Sequence, residues 1–178
     1  NKHMTIMQNM IDNHYISELQ EFIQSLKSLS ALPLGITYTN DITFDSILNI
    51  ECKKAVAANI KYTVKVNRIV EPLNILAADK STILCNAIDN AIEASIKEEE
   101  SKRYINVRAK VIKSFLTISV ENNTVEGEEI DFVSRKDDQE NHGFGMKNIK
   151  NVINKYGGEM TFETNNSCIS IFVMLNKV

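Results

Sequence analysis

Between Asp79 and Glu99, the residues Ile83, Leu84, Ala87, Ile88, Ala91 and Ile92 return at the three- and four-residue spacing of a helix that buries one face. A stripe that long needs a second layer to cover it. The sequence offers one in alternating, β-branched stretches at Lys61–Val66, Tyr104–Ile112, Phe115–Glu121, Met160–Glu163 and Cys168–Leu175. The tight Lys113-Ser114 and Asn165-Asn166 links predict two hairpins. Asp45 stands where an N-cap would, ahead of a helical stretch through Ala58, and a further helix runs from the glycines at 143 and 145 to a stop at Gly157-Gly158. This order of elements predicts an α/β chain built on one mixed sheet with its helices on one face.

Ahead of that unit, Ile6, Met10, Ile16, Leu19, Phe22, Ile23, Leu26 and Leu29 recur at helical spacing, interrupted near Asp12–Tyr15. One amphipathic helix or two are therefore expected. Ala31–Asp45, with Pro33, Gly35, Asn40 and Asp41, reads as a connector, which divides the chain into 1–30 and 31–178. A chain of 178 residues with 43% hydrophobic content can bury one ordinary domain plus an extension. Its net charge of -3 argues against a general basic field for nucleic acid, so any anion must be held locally. Cys52, Cys85 and Cys168 have neither the spacing of a disulfide framework nor that of a zinc site, and a reducing compartment fits them. The longest apolar runs, such as Leu116–Val120, fall far short of the ~20 residues that span a bilayer.

Two groups of residues carry chemistry. Asn86 and Asn90, four apart, project from the helix face opposite the apolar stripe, and an amide oxygen is a hard ligand suited to one position around Mg²⁺. Asparagines on a helix are more often solvated surface. After a hairpin and a long polar stretch, however, Asn141-His142-Gly143-Phe144-Gly145-Met146 runs into a helix. There the glycines would let the backbone approach a ligand, and a helix start offers N–H groups to phosphate. The order of these elements is more specific than either motif alone.

The string from Asn86 to Ala94, Asn-Ala-Ile-Asp-Asn-Ala-Ile-Glu-Ala, resembles the N-box of the GHKL ATP-binding fold, and Gly143-Phe-Gly-Met-Lys-Asn-Ile resembles its G2 box. The sequence is most similar to peptide-pheromone sensor histidine kinases of Gram-positive bacteria, the accessory-gene-regulator type, from about Ile11 to Leu175. The resemblance implies a Bergerat-type two-layer sandwich at 31–178, preceded at 1–30 by a remnant of a dimerisation hairpin. It implies that Asn90 ligates Mg²⁺ and that Asn86 supports the phosphate side of an ATP pocket closed by His142, Gly143, Phe144, Gly145 and Met146. Asn122 falls where the fold has the adenine-reading Asp of the DxGxG box, but Asn122-Asn123-Thr124 lacks both the acid and the glycines. The stretch Asn123–Gln139 would be the ATP lid, in which Arg135 and Lys136, or Lys147 beyond it, offer positive charge or are plain surface.

Hydrolytic members of the wider fold carry a Glu at the position of Asn86, which cannot take a proton, so phosphoryl transfer to a protein nucleophile is favoured over hydrolysis, with Asn86 the catalytic candidate. The implied protein is the cytoplasmic core of a membrane-embedded receptor, a homodimer through its N-terminal helices that passes phosphate to a response regulator. Three readings of His3 stand together: the tail of an HDYxxH motif whose acceptor lies upstream, a cloning remnant, or the nucleophile itself. His14, near the break in the helical pattern, reads as structural or exposed. Two competing functions are a non-enzymatic GHKL-fold interaction module and an anti-sigma-type serine kinase.

Overall fold

The structure, a computed structural model, describes residues 2–12, 15–17, 36–67, 69, 74–113, 115–124, 143–165 and 168–176. Two compact units divide the chain, Asn1–Leu34 and Gly35–Val178. In the first, helix α1 (Lys2–Asp12) stops where the apolar pattern breaks, and Tyr15 N donates back to Met10 O at 2.9 Å. Ile11, Tyr15 and Ile16 are exposed on this unit. The second predicted helical stretch, through Leu29, lies outside the described residues beyond Ser17, as does His14.

The second unit opens with α2 (Ile42–Ala57), and here the sequence expectation needs correction. Asp41, not Asp45, is the N-cap: its backbone is extended and its side chain accepts from Phe44 N at 2.9 Å. Asp45 sits one turn further in, where its carboxylate takes Tyr38 N and Thr39 N at 3.1 Å each and Thr39 Oγ1 at 2.8 Å. Two aspartates four apart can each satisfy backbone donors, and the incoming chain claims the second. The helix ends at Asn59, in the left-handed region with φ 57°, while Ile60 N reaches back to Ala55 O at 3.0 Å.

Strand β1 (Lys61–Asn67) leads through α3 (Ala77–Ser95) to β2 (Tyr104–Ile112), which pairs with β1 in parallel. Parallel neighbours need such a crossover, and α3 supplies it. The antiparallel β3 (Phe115–Asn123), then α4 (Gly143–Lys155), β4 (Glu159–Asn165) and β5 (Cys168–Asn176) complete a five-stranded mixed sheet of order β1-β2-β3-β5-β4. Both hairpins pair as expected; Ser114 and Asn166 of their turns lie outside the described residues. Ile105, Val107 and Ala109 of β2 and Leu116, Ile118 and Val120 of β3 are buried under the helical layer. On the open face Arg108 pairs with Glu121 at 2.8 Å, and its guanidinium holds that carboxyl below its usual range.

The helix α3 ends at Ser95, four residues before the Glu99 bound expected from the sequence. Arg103 accounts for the difference: its guanidinium donates to the carbonyls of Ala58, Glu98 and Ile96 at 3.0–3.1 Å, pinning a 3-10 turn at Glu100–Lys102 between α3 and β2. The buried stripe is Ile83, Leu84, Ala87, Ile88 and Ala91, with Ile92 partly buried against the same core. Burying Leu or Ile side chains completely, as at Leu48, Leu84 and Ile88, contributes about 1.5–3 kcal/mol each.

Candidate functional site

Asn86 and Asn90 occupy the half-buried side of α3 that faces the first turn of α4. Asn86 Nδ2 donates to Thr82 O at 2.6 Å. A carbonyl can only accept, so the amide must present its NH₂ there and turn Oδ1 the other way. That oxygen lies where a side chain on Gly145 would begin: a Cβ added to Gly145 would stand 2.9 Å from Asn86 Oδ1 and 3.5 Å from its Cγ. Asn90 Nδ2, one turn on, donates to Met146 Sδ at 3.0 Å.

The structure thus brings together Asn86, Asn90, Gly145 and Met146, whose two motifs are remote in sequence. It also gives Gly145 a second reason: beside the backbone approach to a ligand expected from the sequence, the amide of Asn86 occupies the space a side chain would need. Gly143 and Phe144 open α4 as its first residues, with their side-chain surroundings outside what the structure describes, and His142 falls wholly outside the described residues. Lys147 is exposed, while Arg135 and Lys136 belong to 125–142, also outside them.

Asn122 is 2% exposed and sits on β3 in the same alternation as Leu116, Ile118 and Val120, hence on the sheet face that α3 covers. Its Nδ2 donates to Asn123 O at 2.8 Å, which leaves Oδ1 as the acceptor for anything beyond. Asn123, assigned from the sequence to the start of a lid, is instead the last residue of β3, paired with Cys168. Its Oδ1 accepts from Tyr104 N at 3.0 Å and Ser95 Oγ at 3.2 Å, tying the end of α3 to the sheet, and its buried Nδ2 has no hydrogen-bond partner among the described residues. A polar side chain that satisfies a strand's backbone looks, in sequence, like the first residue of a polar loop.

Asp89 of the Asn-bearing string is held by Lys54 at 2.9 Å, and Lys54 also grips the fully buried Glu51 at 2.9 Å, so Asp89 serves the α2 side of the helix. Burial pushes the thiols of Cys52 and Cys85 up, which suits packing rather than nucleophilic work. At the junction of α3 and α4, besides the ion pair of Asp79 with Lys155, stand two neutral amides. Among the described residues neither Asn86 Oδ1 nor Asn90 Oδ1 accepts a hydrogen bond. The second is a hard, uncharged oxygen on a half-exposed rim, a donor type that fits Mg²⁺.

The sequence profile of the family described as GHKL domain matches residues 75–176, more than half of the chain. No curated protein matches it. Among solved structures, a nucleotide-free form of the catalytic domain of histidine kinase ThkA superposes with a TM-score of 0.63 at 17% identity, over 76% of this chain and 90% of that one. The mycobacterial sensor histidine kinase MprB gives 0.57 at 15% identity, over 74% and 92%. The Acinetobacter baumannii histidine kinase AdeS gives 0.57 at 14%, over 98% and 94%. At these identities the likeness is one of fold. It carries the Bergerat-type sandwich expected from the sequence.

Proposed function

The chain belongs to the GHKL domain family, and from that premise we propose that it is the ATP-binding catalytic core of a sensor histidine kinase, which moves the γ-phosphoryl of ATP to a histidine and on to a response regulator. The observation that carries the reading is the pair of contacts, Asn86 with Gly145 and Asn90 with Met146, which joins the two motifs into one site. Asn90 Oδ1 would hold Mg²⁺, which when bound offsets the charge of the phosphates. The first turn of α4 would face the phosphates with its unpaired N–H groups, and the buried Asn122 would accept from the adenine amino group.

Transfer rather than hydrolysis follows from what Asn86 can do. An amide cannot remove a proton from water, and this one has its NH₂ committed to Thr82 O. The protein's part is then to position the nucleotide and neutralise its charge. By the same reading the whole protein is a membrane receptor of the peptide-pheromone, quorum-sensing type, dimeric through its N-terminal helices, with this part cytoplasmic. Among the described residues no helix is long and apolar enough to cross a membrane.

A second reading, a GHKL-fold interaction module without useful nucleotide binding, draws on Asn122-Asn123-Thr124, which lacks the acid and glycines of the DxGxG box. Calorimetric titration with ATP, with excess Mg²⁺ and with a chelator, separates the two. The kinase reading expects binding that Mg²⁺ strengthens and that Asn90→Ala weakens at least about tenfold in the Mg²⁺ arm, since loss of metal-site groups typically costs 10–100-fold. A flat titration in both arms would favour the interaction module.

A further inference from the structure

Asn90 Nδ2 donates to Met146 Sδ across 56 positions of the chain. An Asn amide has two nearly isosteric ends, and turning it by half a rotation exchanges a donor for an acceptor. On a half-exposed helix face, solvent satisfies either orientation. The thioether sulfur has no proton to give and is only a weak acceptor, so an amide resting on it must present its NH₂. From the 3.0 Å contact and this one-way chemistry, we infer that Met146 is a positioning residue: it holds the Asn90 amide in the orientation that leaves Oδ1 turned outward as a ligand for a divalent cation.

The neighbouring amide is oriented by the same logic with a different partner. Asn86 Nδ2 is committed to Thr82 O within its own helix, whereas Asn90 has no such bond to Asn86 O and borrows its orienting acceptor from α4. Orientation of the cation ligand therefore depends on α4 being docked against α3, through the residue directly after Gly145. A bulky apolar residue at 146 would fill the same space and bury the same surface, but would leave the amide free to turn. Two carboxylates of α3 are engaged elsewhere: Asp89 by Lys54, and Asp79 by Lys155 and Tyr156.

This inference rests on the assignment of Asn90 as the cation ligand, and its test separates the two. Met146→Leu keeps the volume and removes the acceptor; Met146→Gln restores an acceptor at similar length. ATP affinity of the 178-residue chain is measured with excess Mg²⁺ and with a chelator, and the ratio of the two is the readout. We expect Met146→Leu to reduce that ratio by about three- to tenfold, and Met146→Gln to recover most of it. The side-chain NH₂ signals of Asn90 in the nucleotide-free chain should move in the Leu variant and return toward wild type in the Gln variant. A wild-type ratio near one overturns the ligand assignment and the inference with it. A wild-type ratio well above one that Met146→Leu leaves intact overturns the positioning role alone, as does an equal loss in both arms.

Discussion

Helix α3 meets its two neighbours with different chemistry. Toward α2 it uses, besides the half-exposed Lys54–Asp89 pair, charge out of water: Lys80 Nζ lies 2.5 Å from Asp41 Oδ2 with both side chains nearly inaccessible, and Asp41 is at the same time the N-cap of α2. Toward α4 it uses neutral amides against a glycine and a thioether and, among the described residues, an ion pair near the surface from Asp79 to Lys155. A buried pair is expensive to separate because either charge left alone has lost its water. Amide contacts can be remade at little cost, since water or a ligand serves as well. The α2 side is therefore fixed. The α4 side is the one that can adjust around a ligand, and it is where the uncommitted amide oxygens lie.

The sharpest way to break this contrast is at Lys80. Lys80→Met removes the buried ammonium beside the Asp41 carboxylate, and removing one partner of such a pair costs about 3–5 kcal/mol, so a large fall in the urea midpoint is expected. Adding Asp41→Asn, which keeps the cap oxygen and removes the charge, should recover most of that loss. If Lys80→Met is as stable as wild type, the α2 side is no more fixed than the other.

On the α4 side the corresponding change is Gly145→Ala, with a smaller and differently divided effect. A helical alanine gains about 1 kcal/mol over glycine, but its Cβ would stand 2.9 Å from Asn86 Oδ1, and overpacking costs about 1–3 kcal/mol. The net change in stability should be a loss of no more than ~2 kcal/mol. Nucleotide affinity should suffer more, because Asn86 must move. Combining Gly145→Ala with Asn86→Ala removes the obstructing oxygen, so the pair should be more stable than the sum of the single changes predicts. Additive effects in unfolding experiments would mean that Asn86 and Gly145 do not constrain one another.

The same division explains what could be read from the sequence. The stripe on α3, the hairpins and the GxG-helix were legible because each is a local period or turn, as Ile83, Leu84, Ala87 and Ile88 illustrate. The N-cap of α2 was misread by one turn because Asp41 and Asp45 are chemically alike, and only the fold decides which of them receives the incoming chain. The two asparagines and two glycines could be singled out as a group. That Asn86 fills the space beside Gly145 could not, nor that Lys80 belongs to the buried stripe, since both depend on partners brought together by tertiary packing. Arg103, which caps three carbonyls, and Asn123, which ends β3 from within, read as ordinary polar residues until the strands around them are in place.

The smallest expected effect lies at the ion pair on the adjustable side. Lys155 Nζ at 2.6 Å, and then the Tyr156 hydroxyl at 2.7 Å, hold the Asp79 carboxyl below its usual range. A depressed folded-state pKa contributes stability that is complete above the unfolded value of about 4 and disappears as pH falls through the lower folded value. Asp79→Asn should therefore be less stable than the wild type at neutral pH, and the gap should close in acid rather than widen. Glu121, lowered by Arg108, retains its own acid dependence in both proteins, so the wild-type curve flattens only in part. Because Lys155 lies at the surface, added salt should narrow the gap at neutral pH, whereas the loss in Lys80→Met, which comes from a buried charge, should hardly respond. Urea midpoints across pH for the two proteins check both points. A gap indifferent to pH would mean that Asp79 joins α3 to α4 by hydrogen-bond geometry alone, and a gap indifferent to salt would make that side as well shielded as the one facing α2.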